Sequence, residues 1–429
     1  MRVYIGIDDT DSKRSMCTTY VGAVALRRAE SVGARRLDYP WLVRLNPNCP
    51  YKTRGNAAVC LPVEVDPSAF EDVWEVVVET VEELADLENG ADPGVVALGE
   101  ESRPALRGLY FGAVREIVEL DEVVELVRSS AIRHWGYGEM RGLIGATAAA
   151  AAAEETLSTF ELLAYRSEEM WGKERLVDPE SVREMDNIYR GVTFDNYDYE
   201  KDEVRVTPHT PCPVLLGIRS VRADVLPGAL SVLRVGEPIE FFEVFRTNQA
   251  TDIHYVERQV RSVRPLESVV VRGLVAGKPR VIPGGHVLLE VSDGTGEITV
   301  AAYEPTGELR RVVEKLEVGD EVAVYGAVKP KPEGLTLNLE KLEVVRLRTV
   351  YAERAPRCPD CERTMKSAGF GKGYRCKGCG RVEPNAMKVR VRVERGISEG
   401  VYEVAVSARR HLVKPLSLLN LSRSDACAA

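Results

Sequence analysis

The sequence predicts a multidomain α+β protein, and three observations lead to that fold class. The chain has 429 residues, enough for about three or four domains of roughly 100–150 residues each. Along its first half, apolar periodicity alternates between strand and helix, as in βαβ-like units. A strand-rich segment and then two Cys-x-x-Cys pairs follow. Together they predict two α+β units, a small β-barrel and a metal-binding module.

The composition predicts a cytoplasmic protein without membrane contact. Hydrophobic residues make up 45% of the chain and charged residues 29%, as in ordinary soluble domains. No apolar run is long enough for a membrane-spanning helix, and Asp8, Asp9 and Asp11 interrupt the apolar stretch that a signal peptide needs. Of the nine cysteines, four form two Cys-x-x-Cys pairs and the other five lack disulfide-like spacing, which fits a reducing compartment with a metal site.

Charge is distributed unevenly along the chain. The net charge is −9, yet residues 346–429 carry 18 Lys and Arg against 8 Asp and Glu. A basic terminal region attached to an acidic body predicts that the terminal region contacts nucleic acid.

The N-terminal strand ends in a cluster of acidic residues. Asp8, Asp9 and Asp11 follow an apolar run directly, and carboxylates so close together repel one another. Mg²⁺ would relieve that repulsion, since proteins hold it with one or two carboxylates plus substrate phosphates. A phosphoryl-transfer site is therefore one interpretation. A polar turn that caps the next helix is the other, and the motif alone leaves both open.

The next elements predict two βαβ-like units. The first has helices over 20–32 and 67–85 and strands over 41–45, 57–65 and 95–98; the second spans 212–247. We expect these units to contribute a ferredoxin-like layer that a 130–200 insert splits. Within the insert, Arg141–Gly145 precedes six consecutive alanines. The start of that helix could receive a phosphate, although close packing of a buried helix explains the alanines as well.

Residues 266–346 predict an OB-fold, a small barrel that often binds single-stranded nucleic acid. The pattern shows five strands, with one helix over 307–316 between the third and the fourth. Asp293–Gly296 has the composition of a hairpin turn. A purely structural barrel without a ligand is the alternative.

Four cysteines form the strongest local motif. Cys358 and Cys361 are one Cys-x-x-Cys pair, and Cys376 and Cys379 are the other. This spacing predicts a tetrahedral four-cysteine zinc site, structural because no position stays open for a substrate. The surrounding loops are basic and carry Phe370 and Tyr374, which suits contacts with RNA phosphates and bases.

The motifs together resemble one known family over nearly the whole chain. They are GIDDTDS (6–12), MCTT (16–19), RLNP (44–47), PYKTRGN (50–56), RGLIG (141–145), TFDN (193–196), TPCPVL (210–215) and SARRHL (407–412). In this order, with the OB segment and the ribbon, they look like the archaeal isoleucine-tRNA 2-agmatinylcytidine synthetases, the TiaS family. The resemblance implies four domains: an atypical kinase domain, a ferredoxin-like domain, an OB-fold and a zinc ribbon.

The resemblance also implies an activity. The family uses ATP to join agmatine to C2 of the wobble cytidine in isoleucine tRNA with a CAU anticodon, and it contacts the anticodon loop and the acceptor region. A threonine in the MCTT motif is autophosphorylated, which corresponds to Thr18. We therefore expect Asp8, Asp9, Asp11 and Thr18 to be catalytic, with Mg²⁺ held by the three aspartates.

Further site residues are predicted from their residue types. Lys52, Arg54, Gly142 and Gly145 are expected to contact ATP phosphates. Agmatine is a dication, and we expect Thr210, Cys212 and Asp252 to bind it. His209 and His254 are expected to be structural or solvent-facing. The oligomeric state is not predicted.

Domain boundaries follow from these assignments. We expect 1–55 with 130–200 as the kinase-like domain, 56–129 with 201–262 as the ferredoxin-like domain, 266–346 as the OB-fold, and 350–429 as the zinc ribbon and basic C-terminal region.

Two other functions compete with the ligase. A non-enzymatic RNA-binding adaptor would account for 266–429 but gives the aspartates no role. A metal-dependent nuclease would use the aspartates to cut RNA but gives Thr18 no role.

Overall fold

The computed structural model describes residues 1–419. The end of the expected C-terminal region, 420–429, lies outside the described residues. None of the helices in the described part combines the length and apolar character needed to cross a bilayer.

The first α+β unit contains six strands and four helices. Its strands are β1 Arg2–Asp8, β2 Arg35–Arg36, β3 Trp41–Arg44, β4 Ala57–Glu64, β5 Gly94–Gly99 and β6 Arg133–Gly136. Its helices are α1 Thr18–Ser31, α2 Phe70–Leu84, α3 Arg103–Arg115 and α4 Leu120–Ser129. The predicted helices and strands of this unit are thus present within a few residues of their expected bounds.

Helix α5 Gly142–Ala150 leads into the second unit. The strands there are β7 Thr159–Arg166, β8 Tyr197–Asp198, β9 Glu203–Val204, β10 Val214–Ser220 and β11 Ile239–Thr247. The helices are α6 Pro179–Ile188 and α7 Leu226–Val232.

Both units share one nine-stranded sheet, in the order β10-β7-β11-β3-β4-β1-β5-β6, with β2 on β4. The units join where β11 runs parallel to β3 and pairs Arg246 with Trp41. Strand β1 lies between β4 and β5 and is antiparallel to both, and β7 lies in the same way between β10 and β11. Each unit is therefore a split βαβ arrangement.

The strand pairing divides the chain differently from the expected domain boundaries. Strand β4 pairs with β1 and β3, although its residues fall in the expected ferredoxin-like segment 56–129. Strand β7 pairs with β10 and β11, although its residues fall in the expected insert 130–200. The reason is that each central strand is flanked by later strands of its own stretch of chain, so the units follow one another in sequence.

Close packing of α5 on the sheet accounts for its small residues. A Cβ on Gly6 of β1 would lie 1.9 Å from the carbonyl oxygen of Ala146, so the helix lies directly on the strand. Ala148, Ala149 and Ala150 are fully buried in the cluster between this face and α3. The structural explanation of the alanine run is thus the correct one.

The OB-fold prediction is confirmed. Its strands are β12 Tyr255–Glu257, β13 Ser268–Val275, β14 Arg280–Ile282, β15 His286–Ser292, β16 Glu297–Ala302, β17 Glu321–Lys331 and β18 Gly334–Arg346. Helix α8 Glu308–Glu314 follows β16, close to the predicted helix. Valine and leucine side chains fill the barrel, and the β16–β18 and β13–β15 pairs close it.

The remaining chain forms the ribbon and then returns to the first two units. Its strands are β19 Tyr351–Arg354, β20 Lys366–Ser367, β21 Tyr374–Arg375, β22 Val382–Glu383, β23 Val389–Arg392 and β24 Gly400–Glu403. Strands β20–β22 make a small sheet of their own. After β24, which pairs with β18, Leu412 is buried in the core beneath α5.

Candidate active site

A cavity of about 430 Å³ lies where the two α+β units and the C-terminal segment meet. Its walls bring together most of the residues predicted for the site. They include Asp8, Asp9, Asp11, Thr18, Lys52, Arg54, Gly145, Thr210 and Cys212. Residues as distant in sequence as Asp8 and His411 thus share one cleft, with an acidic end and a basic end.

The acidic end is built where β1 stops. The backbone turns at Asp9, whose φ is 57°, in the left-handed region that Asp tolerates better than most residues. The Asp8 carboxylate rests against Gly145 in the first turn of α5, where a Cβ would lie 1.8 Å from Oδ2. Gly145 is therefore needed to make room for the carboxylate.

Gly142 has a packing role and does not line the cavity. A Cβ there would lie 2.3 Å from the Gly94 backbone nitrogen and 2.7 Å from the Asp8 carbonyl oxygen. The expectation that Gly142 contacts a phosphate is thus not supported, because its space is filled by the neighbouring strands.

Burial makes the three carboxylates hard to ionise. It raises the pKa of Asp8 well above its usual range, with the neighbouring charges of Asp9 and Asp11 adding to the effect. Burial, followed by the charges of Asp11 and Asp92, raises the pKa of Asp9 to about 7. Burial also raises the pKa of Asp11 to about 6, even though Arg54 opposes the shift. A cation at this end would stabilise all three charged forms.

The contacts of Arg54 add a structural role to the one expected from the sequence. Its guanidinium donates to the carbonyl oxygens of Ser12 (2.5 Å), Ser15 (3.0 Å) and Met16 (2.7 Å). It also lies 3.5 Å from the Asp11 carboxylate. The terminal nitrogens of Arg54 thus hold the acidic turn in place, while its Nε is buried at the cavity wall without a hydrogen bond.

Thr18 opens α1 beside this turn. Its hydroxyl accepts a hydrogen bond from the Thr10 hydroxyl over 3.1 Å, and the residue, although buried, lines the cavity. The N-cap residue Cys17 forms no capping hydrogen bond with the helix backbone, although its sulfur lies 3.1 Å from the Thr19 hydroxyl. The first N–H groups of α1 are therefore left without a side-chain cap beside Thr18.

The basic end consists mainly of residues that the sequence reasoning did not single out. Lys52 is joined there by Arg44, Arg205, Arg219 and His411. Glu161, also at the wall, contacts Arg44 at 3.3 Å and Arg219 at 3.4 Å. The surrounding positive charges, Arg44 foremost, and burial hold the pKa of His411 well below its usual range.

Thr210 and Cys212 line the cavity, but Arg175 takes their backbone oxygens. Its guanidinium donates to the carbonyls of Pro208 (2.9 Å), Thr210 (2.8 Å) and Cys212 (3.0 Å). Because these carbonyl oxygens are occupied, Thr210 and Cys212 can contact a ligand only through their side chains. A half-buried guanidinium thus holds the backbone of this segment in place.

Asp252 is not brought to the cavity. Its carboxylate pairs with the Lys341 ammonium at 2.6 Å and accepts from the Lys414 backbone N–H at 2.7 Å. It joins the OB-fold to the C-terminal segment. His254 is fully buried 3.9 Å from Glu340, in agreement with a structural role, and His209 is an exposed residue at the cavity wall.

The four ribbon cysteines converge as predicted. The Sγ atoms of the four residues all lie within 4.8 Å of one another: Cys358, Cys361, Cys376 and Cys379. Thiolates at these separations fit a tetrahedral zinc ion. Among the described residues, the three aspartates do not form such a closed set.

The sequence holds some information on the cavity residues that were not predicted, and it differs from one residue to the next. Arg44 and His411 stand inside recognised motifs, RLNP and SARRHL, but carry no spacing that assigns a role. Glu161 lies in an otherwise mostly apolar strand, where a buried carboxylate requires partners. The sequence therefore indicates that Glu161 has charged partners. It does not identify them, because Arg44 and Arg219 lie on β3 and β10 and only the fold brings them to Glu161.

Models of four domain families match the chain in order. They are the TiaS TCKD domain over 4–139, the TiaS FLD domain over 140–254, the OB-fold nucleic acid binding domain over 269–345 and the TiaS C-terminal zinc ribbon domain over 355–397. The first two meet at 139/140, in agreement with the sequential units of the sheet.

Similar proteins cover nearly the full length. A relative from Methanocaldococcus jannaschii is 40% identical over 98% of this chain and 99% of its own. One from Archaeoglobus fulgidus is 43% identical over 98% of both chains. Each is named as the isoleucine-tRNA 2-agmatinylcytidine synthetase TiaS.

Solved structures agree over the same length. A crystal structure of apo TiaS superposes with a TM-score of 0.90 at 41% identity, and a TiaS complex with isoleucine tRNA, AMPCPP and agmatine with 0.84 at 39%. Each comparison covers 97% of both chains.

Proposed function

This chain belongs to the TiaS family, and from that premise we propose that it is an ATP-dependent ligase acting on the wobble cytidine of isoleucine tRNA with a CAU anticodon. It joins the primary amine of agmatine to C2 of that cytidine. The observation that carries the proposal is the single cavity in which the acidic turn, the Thr18 hydroxyl and a basic wall face one another. We place the reaction in the cytoplasm.

The chemistry requires activation of an oxygen. The C2 carbonyl oxygen of cytidine is a poor leaving group, so an amine does not displace it directly. Transfer of a phosphoryl group from ATP to that oxygen makes C2 electrophilic. The agmatine amine then bonds to C2, the C2–O bond breaks, and the oxygen leaves with the phosphate while the amine loses its proton.

Asp8, Asp9 and Asp11 are proposed to supply the ligands for Mg²⁺. In the described residues, neither Asp8 nor Asp9 has an ion-pair partner within 4.0 Å, and their buried charges are costly. This environment fits a divalent cation held by one or two carboxylates. When bound, Mg²⁺ neutralises charge on the phosphates of ATP.

Thr18 is proposed to be the autophosphorylated residue. Its hydroxyl faces the cavity beside the carboxylates, and Thr10 fixes its direction. The start of α1 has no side-chain cap and favours a phosphate at that position, because the helix dipole attracts negative charge.

The remaining site assignments are narrowed by the geometry. Gly145, beside the Asp8 carboxylate, and Lys52, at the basic end, are proposed to border the ATP phosphates, since both line the cavity. Agmatine is proposed to reach the Thr210 hydroxyl and the Cys212 side chain. Gly142 and Asp252 are left out of direct ligand contact, for the reasons given by their packing and ion pairs.

The OB-fold and the zinc ribbon are proposed to hold the RNA, at the anticodon loop and the acceptor region. The ribbon is basic and presents Phe370 fully exposed, at 106% of its reference area. Exposed aromatics among cations suit stacking on unpaired bases. Zinc would be held by Cys358, Cys361, Cys376 and Cys379 and keep the ribbon folded.

Labelled ATP tests this proposal against its two competitors. The purified chain is incubated with γ-labelled ATP and Mg²⁺, with and without tRNA and agmatine. The ligase predicts label on Thr18 that is lost in Thr18→Ala, together with incorporation of agmatine into tRNA. Cleaved tRNA would favour a nuclease, and bound but unchanged tRNA without label would favour an adaptor.

A further inference from the structure

The basic end of the cavity carries more positive charge than its neighbours neutralise. Four cationic side chains line it: Arg44, Lys52, Arg205 and Arg219. Glu161 is the carboxylate in contact with Arg44 and Arg219. Arg205 has its nearest carboxylate, the half-exposed Glu203, 3.8 Å away. A surplus of cations in a partly buried cleft creates a strong attraction for anions.

Two of these guanidinium groups also lack part of their hydrogen bonding. The Nε atoms of Arg44 and Arg219 are buried without a hydrogen bond in the described structure, although Arg219 Nε lies 3.4 Å from the Glu161 carboxylate. Buried polar atoms are normally satisfied, and an unpaired guanidinium N–H is costly to bury. An acceptor atom from a ligand would remove that cost.

His411 stands among these cations in a fixed orientation. Gln249 must turn its amide nitrogen toward Glu161, because an ionised carboxylate only accepts hydrogen bonds. The Gln249 oxygen therefore faces His411 Nδ1, 3.0 Å away, and Nδ1 is the donor. Nε2 is left toward Gly55, where a Cβ would lie 3.7 Å from it and 3.2 Å from an Arg44 terminal nitrogen.

The segment that carries His411 is tied firmly to three parts of the protein. The carbonyl oxygens of His411 and Leu412 accept from the backbone N–H groups of Ala250 and Asp252, each at 2.8 Å. Arg410 contacts Glu340 of the OB-fold at 2.9 Å and Asn48 at 2.7 Å. These hydrogen bonds and the ion pair therefore fix the position of His411 at the cavity wall.

We propose that Arg44, Lys52, Arg205, Arg219 and His411 form a phosphate-binding subsite at the basic end of the cavity, separate from the aspartates. The ligand is a phosphate group, which supplies several acceptor oxygens to the guanidinium donors. His411 Nε2 joins once the phosphate is present, because the added negative charge favours protonation of the ring. The proposal rests on the proposed function only in that the phosphate belongs to one of that reaction's substrates.

Two substrates carry such a group: the RNA backbone next to the wobble nucleotide and the triphosphate of ATP. Arg205→Gln distinguishes them, because Arg205 has no close partner whose loss would disturb the fold. Arg222→Gln is the matched control, since Arg222 is an exposed residue that pairs with Asp224. Binding of an anticodon stem–loop RNA and of an ATP analogue with Mg²⁺ is measured for both variants across a salt series.

If the subsite takes the RNA backbone, Arg205→Gln weakens RNA binding by about 5- to 10-fold and lowers the magnitude of the salt slope by about 0.7 to 0.9, while the affinity for the ATP analogue stays at the wild-type value. If the subsite binds the triphosphate, Arg205→Gln weakens binding of the ATP analogue instead, and RNA binding stays at the wild-type value. Arg222→Gln changes neither. Equal affinities of Arg205→Gln and the wild type for both ligands would overturn the proposal.

His411 provides a second readout that does not depend on turnover. The chain has five histidines, so the His411 ring signal can be assigned in a ¹³C-histidine NMR spectrum by comparison with His411→Gln. We expect inorganic phosphate, or the substrate identified above, to move this signal toward the protonated form near neutral pH. A signal that none of these ligands moves would contradict the subsite. If a phosphate ligand moves the His411 signal but the protein transfers no agmatine to tRNA, the proposed ligase activity is refuted and the phosphate-binding subsite is not.

Discussion

The Thr10 hydroxyl donates a hydrogen bond to the Thr18 hydroxyl over 3.1 Å at the wall of the cavity. Thr10 belongs to the acidic turn after β1 and Thr18 to the first turn of α1. The bond thus fixes the proposed phosphoacceptor relative to the carboxylates.

Removal of this bond tests whether Thr10 positions Thr18. We expect Thr10→Val to lower the rate of Thr18 phosphorylation by about 10-fold, the effect of a lost positioning hydrogen bond of roughly 1.4 kcal/mol. Thr10→Ser, which keeps the hydroxyl, should restore most of the rate. Mass spectrometry of the Thr18 peptide measures both, and equal rates for Thr10→Val and the wild type would exclude this role.

Arg54 is expected to contribute to stability through the acidic loop. Arg54→Gln removes charge-assisted hydrogen bonds to three carbonyls and should lower the free energy of unfolding by about 2–3 kcal/mol. Arg14→Gln is the control, because Arg14 is exposed and its guanidinium donates a single hydrogen bond in the described structure, to the Asn89 side chain at 2.9 Å. Urea unfolding compares the two, and equally small losses would show that Arg54 does not hold the loop.

Gly145→Ala should abolish activity without harming the helix. The new methyl group would overlap the Asp8 carboxylate, 1.8 Å from Oδ2, and displace it from the cavity. We expect phosphorylation of Thr18 to fall by at least about 100-fold, roughly 2.7 kcal/mol or more. Gly108→Ala, in an open position of α3, should instead raise stability by about 0.5–1 kcal/mol. A normally active Gly145→Ala variant would contradict the site geometry.

The acidic end should make the metal-free protein less stable as pH rises. The pKa of Asp9 is raised to about 7 and that of Asp11 to about 6, so the folded state binds these protons more tightly than the unfolded chain does. The stability they contribute is present below pH ~4 and is lost as pH rises through about 6 and 7.

Urea unfolding in chelator at about pH 5 and about pH 8 measures this loss. Asp9→Asn should flatten the pH dependence, and Mg²⁺ should restore stability in the wild type at the higher pH. If Asp9→Asn kept the wild-type pH dependence, the raised pKa of Asp9 would be refuted.

Loss of zinc should separate RNA binding from phosphorylation. Cys376→Ser removes one ligand of the four-cysteine cluster, and we expect the ribbon to unfold because its small sheet has few buried residues of its own. Affinity for tRNA should drop by about 10-fold or more as basic contacts are lost. Labelling of Thr18 without RNA should continue, and its disappearance would place the ribbon in the catalytic step.

Most of the secondary structure could be predicted from periodicity, because both α+β units and the barrel alternate apolar and polar residues at regular spacing. The grouping of strands into domains could not. Strand β4 pairs with β1 and β3, and β7 pairs with β10 and β11; register depends on which faces meet, and no local pattern encodes that.

The acidic half of the site was predictable for a similar reason, since Asp8, Asp9 and Asp11 are neighbours in sequence. The basic half was not, because Arg44, Glu161, Arg219 and His411 come from β3, β7, β10 and the C-terminal segment. Residue type also misled at Asp252, whose carboxylate seemed available to a dication but is neutralised by Lys341.

Nucleoside mass spectrometry of isoleucine tRNA with a CAU anticodon tests the central claim most directly. The tRNA is incubated with the chain, ATP, Mg²⁺ and agmatine, then digested. We expect the wobble cytidine to gain the mass of agmatine less one water, and Asp9→Asn to leave it unmodified. An unmodified cytidine with the wild-type chain, or a tRNA cut at the anticodon, would contradict the assignment of this cavity to agmatine ligation.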